Sequence, residues 1–272
     1  RIMSINAAAF LLDGFTIADG LSVDTAGGLN VTTGIVQNCV IVNNRTGQLG
    51  GGLALESGAV ASRCVIACNH ADWAGGGVML MPPSELRSCL IVSNNTAALQ
   101  MPPMFGGQRL GAGGVFALGG SVIRNCTIAD NHSDNDAGGI YTLDFFGTGG
   151  TDILENTILY SNTAVSNGNN YFGGPHRFVY SCTTPAVPAG SDGGGNLAAD
   201  PLWASDYSLT EASPCRDTGT NLPWMVYASD LAGNPRIIGA AVDMGAYEFV
   251  PEPGMLLLLS VLFMAGYARR AV

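Results

Sequence analysis

Cys39-Val40-Ile41-Val42-Asn43-Asn44, followed by Gly51-Gly52-Leu53, returns as Cys64-Val65-Ile66-Ala67-Cys68-Asn69, followed by Gly76-Gly77-Val78. The unit recurs around Phe15, Cys39, Cys64, Cys89, Cys126, Asn156 and Cys182, with successive anchor spacings of 24, 25, 25, 37, 30 and 26. Five residues after four anchors stands an Asn (Asn44, Asn69, Asn94, Asn131), and thirteen after five of them a Gly (Gly28, Gly52, Gly77, Gly139, Gly195). Two intervals are longer: Cys89 reaches Gly114 after 25 residues, and Asn156 reaches Gly174 after 18. Both contain breaker-rich runs, such as Pro102-Pro103 and Asn167-Gly168-Asn169-Asn170, so both read as loop insertions.

Each unit holds two or three short β-type runs and no helical period of useful length. About 25 residues with Gly and Asn turns cannot bury their own apolar face, so they stack on neighbours. The expected fold is all-β, a parallel β-helix; the usual hand of parallel crossovers makes it right-handed. One coil adds one inter-strand distance, which gives a core roughly 29 Å long from Phe15 to Cys182. A leucine-rich-repeat horseshoe shares the period, but Gly-Gly stands where it needs a convex helix, and helix propensity there is poor.

Composition agrees with a solenoid. Of 272 residues 38 are Gly and only 12% are charged, about half the usual share. All 11 basic side chains are Arg, set against 21 acids, for a net charge of −10. Nucleic acid is therefore a poor partner, since phosphate contacts need clustered Lys and Arg. Arg1 stands where a Met would open a chain, and the stretch reads as a piece whose own start lies upstream.

Cys39, Cys64, Cys89, Cys126 and Cys182 are expected to stack as a packing ladder, with Asn44, Asn69, Asn94 and Asn131 as a second ladder at a tight bend. Cys64 and Cys68 have ligand-like spacing, but nothing completes a zinc set. Cys182 with Cys215 is the one disulfide that the odd total of seven Cys leaves worth testing. His70 and His132 follow ladder Asn residues and read as turn residues on one edge. Asp130, Asp134 and Asp136 have a spacing that could hold calcium through carboxylates, but the Gly and terminal Glu of an EF-hand loop are lacking, which favours an acidic surface turn. A polysaccharide lyase or hydrolase needs paired carboxylates, or an Arg base beside a cation. Arg109, Asp134 and Asp136 are the catalytic candidates, with Arg124, Asp144 and Asp152 nearby in sequence.

After Gly195 the repeat stops. Gly195-Asn196-Leu197, Asp200-Pro201-Leu202-Trp203, Ser213-Pro214-Cys215-Arg216-Asp217, Asp230-Leu231-Ala232-Gly233-Asn234-Pro235-Arg236 and Val242-Asp243-Met244-Gly245-Ala246-Tyr247-Glu248 follow in order. This segment resembles the C-terminal module of exported bacterial β-helix proteins of the choice-of-anchor Q type. The Gly-Gly-apolar repeats look more loosely like those of chlamydial polymorphic outer-membrane proteins. Physically, the module reads as a cap over the last coil, whose open edge would invite aggregation. Val250-Pro251-Glu252-Pro253, the apolar run 254–268 and Arg269-Arg270 are similar to a PEP-CTERM sorting signal, which an exosortase-type enzyme of Gram-negative bacteria removes. The apolar run is expected to form a short helix that touches the membrane only transiently.

The division expected is 1–195 for the coils, 196–249 for the capping module and 250–272 for the sorting signal. The functional expectation is an exported rod at the cell surface or in the extracellular matrix, structural or adhesive, with extracellular polysaccharide as partner. The alternative is a pectate-lyase-like enzyme acting on an acidic polysaccharide, with calcium as its cofactor. An autotransporter-like passenger is a third reading, but no membrane-barrel pattern follows the rod.

Overall fold

The computed structural model describes residues 2–101, 107–144, 147 and 149–251. Its strands stack into four columns, and every strand pair within them is parallel. The chain is a parallel β-helix.

The first two columns form one sheet of 12 strands. They are joined by the long strands Met3–Asp13 and Leu29–Gln37, which bend once, at Gly34 (φ 111°) in the second. In later coils breakers divide that strand in two: Ser57-Gly58, Pro82-Pro83 and Gly119-Gly120. The third column has seven strands, Thr16–Ala18 through Cys182–Thr183, and the fourth has six two-residue strands, Leu21–Ser22 through Thr163–Ala164. Strands this short alternate in burial with the period of two that β-structure imposes. Ile17, Ile41, Ile66, Ile91, Ile128 and Leu159 therefore stack inside the third column, facing Leu53, Leu55, Val78, Leu80, Leu86, Ile123 and Leu154 across the lumen. Each such side chain withdrawn from water contributes about 1.5–3 kcal/mol before chain entropy is charged against it.

Single residues in the left-handed conformation turn the chain between columns. One set is Asn38, Arg63, Ser88, Asn125, Asn156 and Tyr180, and the other is Asn43, Cys68, Ser93, Asp130 and Ser161, all with φ between 46° and 57°. This corrects the anchor register. Asn156 is a turn residue, and the ladder runs Cys39, Cys64, Cys89, Cys126, Thr157, Ser181, each at most 1% exposed. These side chains share a role that does not depend on sulfur: each donates to the main-chain carbonyl two residues before it. Cys64 Sγ donates to Ser62 O at 3.4 Å and Ser181 Oγ to Val179 O at 3.1 Å. Counting alone missed the register because Cys182, a residue out of step, carries the expected letter.

With the register corrected, the coil after Thr157 has no insertion. Its thirteenth residue is Asn170, which stands over Gly139. The extra residues of the preceding coil lie instead between strands Ile140–Leu143 and Asp152–Glu155. The insertion after Cys89 is where the spacing placed it, between Asn95–Thr96 and Val115–Ala117.

The Asn ladder is longer than the spacing showed. Asn44 takes the Gly20 main-chain N–H, Asn69, Asn94, Asn131 and Asn162 each take a main-chain N–H and an amide N–H from the Asn of the coil before, and Asn170 ends the series by accepting from Asn162 at 2.9 Å. Gly28, Gly52, Gly77 and Gly139 leave room for these amides, and at Asn170 the side chain supplies one.

The segment after Gly195 is not a cap over the end. Residues 184–197 close the last coil, with Val187 packed on the lumen core and with Phe178 N–H to Ser191 O (2.9 Å) and Leu197 N–H to Ser181 O (2.8 Å). From there the chain runs back along the outer side of the third column, where Leu231, Tyr207 and Tyr247 pack on Leu90, Val92 and Ala129. Ala246 N–H donates to Thr127 Oγ1 at 3.0 Å, and Arg87 stacks on Trp224 at 5.4 Å. Arg236 pins the segment to itself: wholly buried, it donates to the carbonyls of Ala246, Asp243 and Gly245 and pairs with Glu248 at 3.2 Å. Burial raises the Glu248 carboxyl to about 8 although Arg236 pulls it down. Residues 252–272, and with them the expected terminal helix, Glu252, Pro253, Arg269 and Arg270, lie outside the described residues. Among the described residues no helix is long and apolar enough to cross a membrane.

Candidate functional site

The insertion after Cys89 does not build the acidic site that its neighbourhood suggested. Arg109 Nε donates to Ala98 O at 3.0 Å, so its guanidinium is tied to its own loop. Asp130 occupies a turn and accepts from Tyr207 of the flanking segment at 2.8 Å. Asp134 pairs with His132 at 3.2 Å, and Asp136 accepts from Asn167 of the next coil at 2.9 Å. The three carboxylates are not brought together, and among the described residues no three His, Cys, Asp or Glu side chains gather as metal ligands. Their close sequence spacing misled because the left-handed turn at Asp130 and the strand His132–Ser133 send them to different neighbours. Arg124 is held by Glu85 (2.8 Å) and Glu155 (2.9 Å) in a ladder of charges on the second column. His70 bonds Asn95 and Asp72, at 2.6 and 2.9 Å; Asn95 stands between it and His132 in the column.

What the insertion does build is the wall of a groove. Middle residues of the first-column strands point outward: Ala54, Met79, Phe116, Tyr141 and Phe172. Phe116, Tyr141 and Phe172 form a stack with ring centroids 5.9 and 5.7 Å apart. Beside it lies a groove of about 310 Å³, floored by Met79 and Phe116 and walled by Met101 and Leu110 of the insertion. Trp73 forms another side, and Thr25, Gln48 and Glu56 supply polar groups at the rim; Glu56 is the one carboxylate among the described lining residues. This site was hard to read from the sequence, because its residues come from four coils and only the outward strand positions recur from coil to coil. The closest available hint was the Trp73 position, which in neighbouring units is Gln48 or Ala98.

A second depression, about 610 Å³ and wide open, lies at the far end of the fourth column among Tyr160, Asn169 and Thr184. It is mostly polar, with Tyr160 the one aromatic ring among its described lining residues.

A third feature is internal. Ala59, Ser84, Ser121, Asp152 and His176 follow one another up the corner between the first two columns, each directly before its second-column strand or at its first residue. All are buried. Asp152 Oδ1 accepts from Ser121 N–H at 2.7 Å, while Asp152 Oδ2, Ser121 Oγ, Thr142 Oγ1 and His176 Nδ1 have no hydrogen-bond partner. Burial raises the Asp152 carboxyl to about 6, against the pull of the Ser121 N–H, and burial lowers His176. Perturbed groups of this kind mark functional sites in many proteins. Here they face the packed lumen, where no substrate reaches them.

No family model matches the chain, and no curated protein matches it in sequence. Among solved structures, the crystal structure of pectate lyase Pel9A is similar with a TM-score of 0.45 and 15% identity, over 88% of this chain and 65% of that one. The parallel β-helix of this chain rests on its own strand register.

Proposed function

We propose that this protein is an exported rod, displayed at the cell surface or in the extracellular matrix, that holds polysaccharide along the first-column groove without cleaving it. The observation that carries this reading is the groove itself: the partly exposed Trp73 offers an apolar ring face above a buried floor of Met79 and Phe116, and Gln48, Glu56 and Thr25 offer hydrogen-bond partners at the edge. Sugar rings present apolar C–H faces and hydroxyl edges in the same arrangement, and aromatic side chains supply area at low entropic cost. The aromatic stack repeats at the coil spacing, which suits a linear polymer lying along the rod. Cleavage would need an acid and a base or nucleophile converging on one bond. Arg109, Asp134 and Asp136, the residues the sequence nominated, are engaged elsewhere. Export and surface display rest on the resemblance of residues 250–272 to a sorting signal, with an exosortase-type enzyme as the processing partner.

The test is to pass the full chain over immobilised acidic and neutral polysaccharides, with calcium and with chelator, while following unsaturated-uronide absorbance and new reducing ends. Retention on at least one polymer, with no product under either condition, is expected. Product formation that depends on calcium contradicts the proposal and supports a lyase.

A further inference from the structure

The corrected ladder leaves one thiol out of place. Cys39, Cys64, Cys89 and Cys126 sit in the coil interior, and the ladder passes from them to Thr157 and Ser181. Cys182 comes one residue later, in register with Ile158, and turns outward beneath the flanking segment. There it meets Cys215, which the Ser213-Pro214-Cys215 turn carries in from the flank. Both are wholly buried, both pack against Ile158, Leu209 and Met244, and the two thiols interact with one another.

We propose that Cys182 and Cys215 are a modification site, joined as a disulfide in an oxidising compartment to staple the flanking segment to the last coil. This goes beyond the polysaccharide reading and does not depend on it. The pair differs from the ladder thiols in two ways. It links two separate elements, whereas in-register Cys of adjacent coils have parallel Cβ directions that make the disulfide dihedral awkward. Its loop encloses the whole flank up to Cys215, so closing it removes much freedom from the unfolded chain. Cys182 is the thiol poised to ionise, since the Cys215 S–H stabilises its thiolate while Cys215 itself is pushed up. In the reaction the Cys182 thiolate attacks a small-molecule disulfide such as oxidised glutathione and releases one thiolate. Cys215 then loses its proton, attacks the mixed disulfide at Cys182 and releases the second. The protein loses two hydrogens and the oxidant gains them. Because both sulfurs are buried, the oxidant meets them before the flank closes, during folding.

The test uses the full chain with the exposed Cys68 replaced (Cys68→Ser) and purified natively from an oxidising and from a reducing compartment. Of its six remaining thiols, four are expected to react after denaturation of the oxidised material, with a Cys182–Cys215 linked peptide in the non-reduced digest. Its Tm is expected several degrees above that of the reduced material, and Cys215→Ser is expected to abolish that difference. Six reactive thiols, a bridge between ladder cysteines, or a linked pair with no gain in Tm would each overturn the proposal.

Discussion

Asp152 is a charge placed where a charge is costly. In the unfolded chain a carboxyl titrates near 4, and in the lumen Asp152 titrates at about 6, so the folded state holds the proton more firmly. Its contribution to stability is therefore fully present below about pH 4 and is lost as the pH rises through 6; two pK units correspond to about 3 kcal/mol. Asp152→Asn keeps the Ser121 N–H contact and removes the charge. Urea midpoints are expected to show it more stable than the parent at pH 7.5, with the difference gone at pH 4. Asn131 is the opposite case, a polar side chain whose burial is fully answered: its amide donates to Ile91 O and Asn162 Oδ1, and its carbonyl accepts twice from Asn94. Asn131→Ala strands several of these groups in the core, and a loss of about 3 kcal/mol is expected in the same unfolding assay. A loss under 1 kcal/mol would mean that water replaces the amide.

At the scale of the strand and turn, the coil is set by contacts too tight for a side chain. Gly76 lies against the Asn95 main-chain carbonyl of the next coil and Gly113 against that of His132, so a Cβ at either has nowhere to go. Gly76→Ala is expected to destabilise by about 3 kcal/mol or more through backbone displacement, whereas Gly58→Ala, with open space around it but a left-handed φ of 86°, costs only the strain of that conformation. Chemical denaturation of the two variants separates the effects. The Gly-Gly spacing made these turns legible in the sequence, and so were the stacked coils and four members of the Asn ladder. What was not legible is instructive. Thr157 and Ser181 continue a Cys ladder by hydrogen-bonding role and not by residue type, so a register built on Cys182 slipped by one residue. Asn170 replaces a Gly because the column ends there and the last amide needs a partner.

At the scale of the whole molecule, the C-terminal segment is a flank and not a lid. The third column is apolar on its outer side as well as within, and the segment 198–249 covers that side from Val65 to Ile158. Toward the N-terminal coils no described residue of the segment covers that side, and Val40 is exposed. On the outer side of the first column the insertion after Cys89 packs over Ala54, Met79 and Phe116, all buried, and raises a wall beside Trp73. Sequence periodicity showed that an insertion existed but not what it faces, because the groove is assembled from residues that occur once. Polysaccharide binding therefore turns on that groove. The most direct measurement is the dissociation constant of the full chain for the polysaccharide that retains it, set beside those of Trp73→Ala and of Trp224→Ala, whose ring lies on the flank against Arg87. A polysaccharide held in that groove means binding at least about tenfold weaker, near 1.4 kcal/mol, for Trp73→Ala, and unchanged binding for Trp224→Ala. Equal affinity of Trp73→Ala and the parent would contradict it.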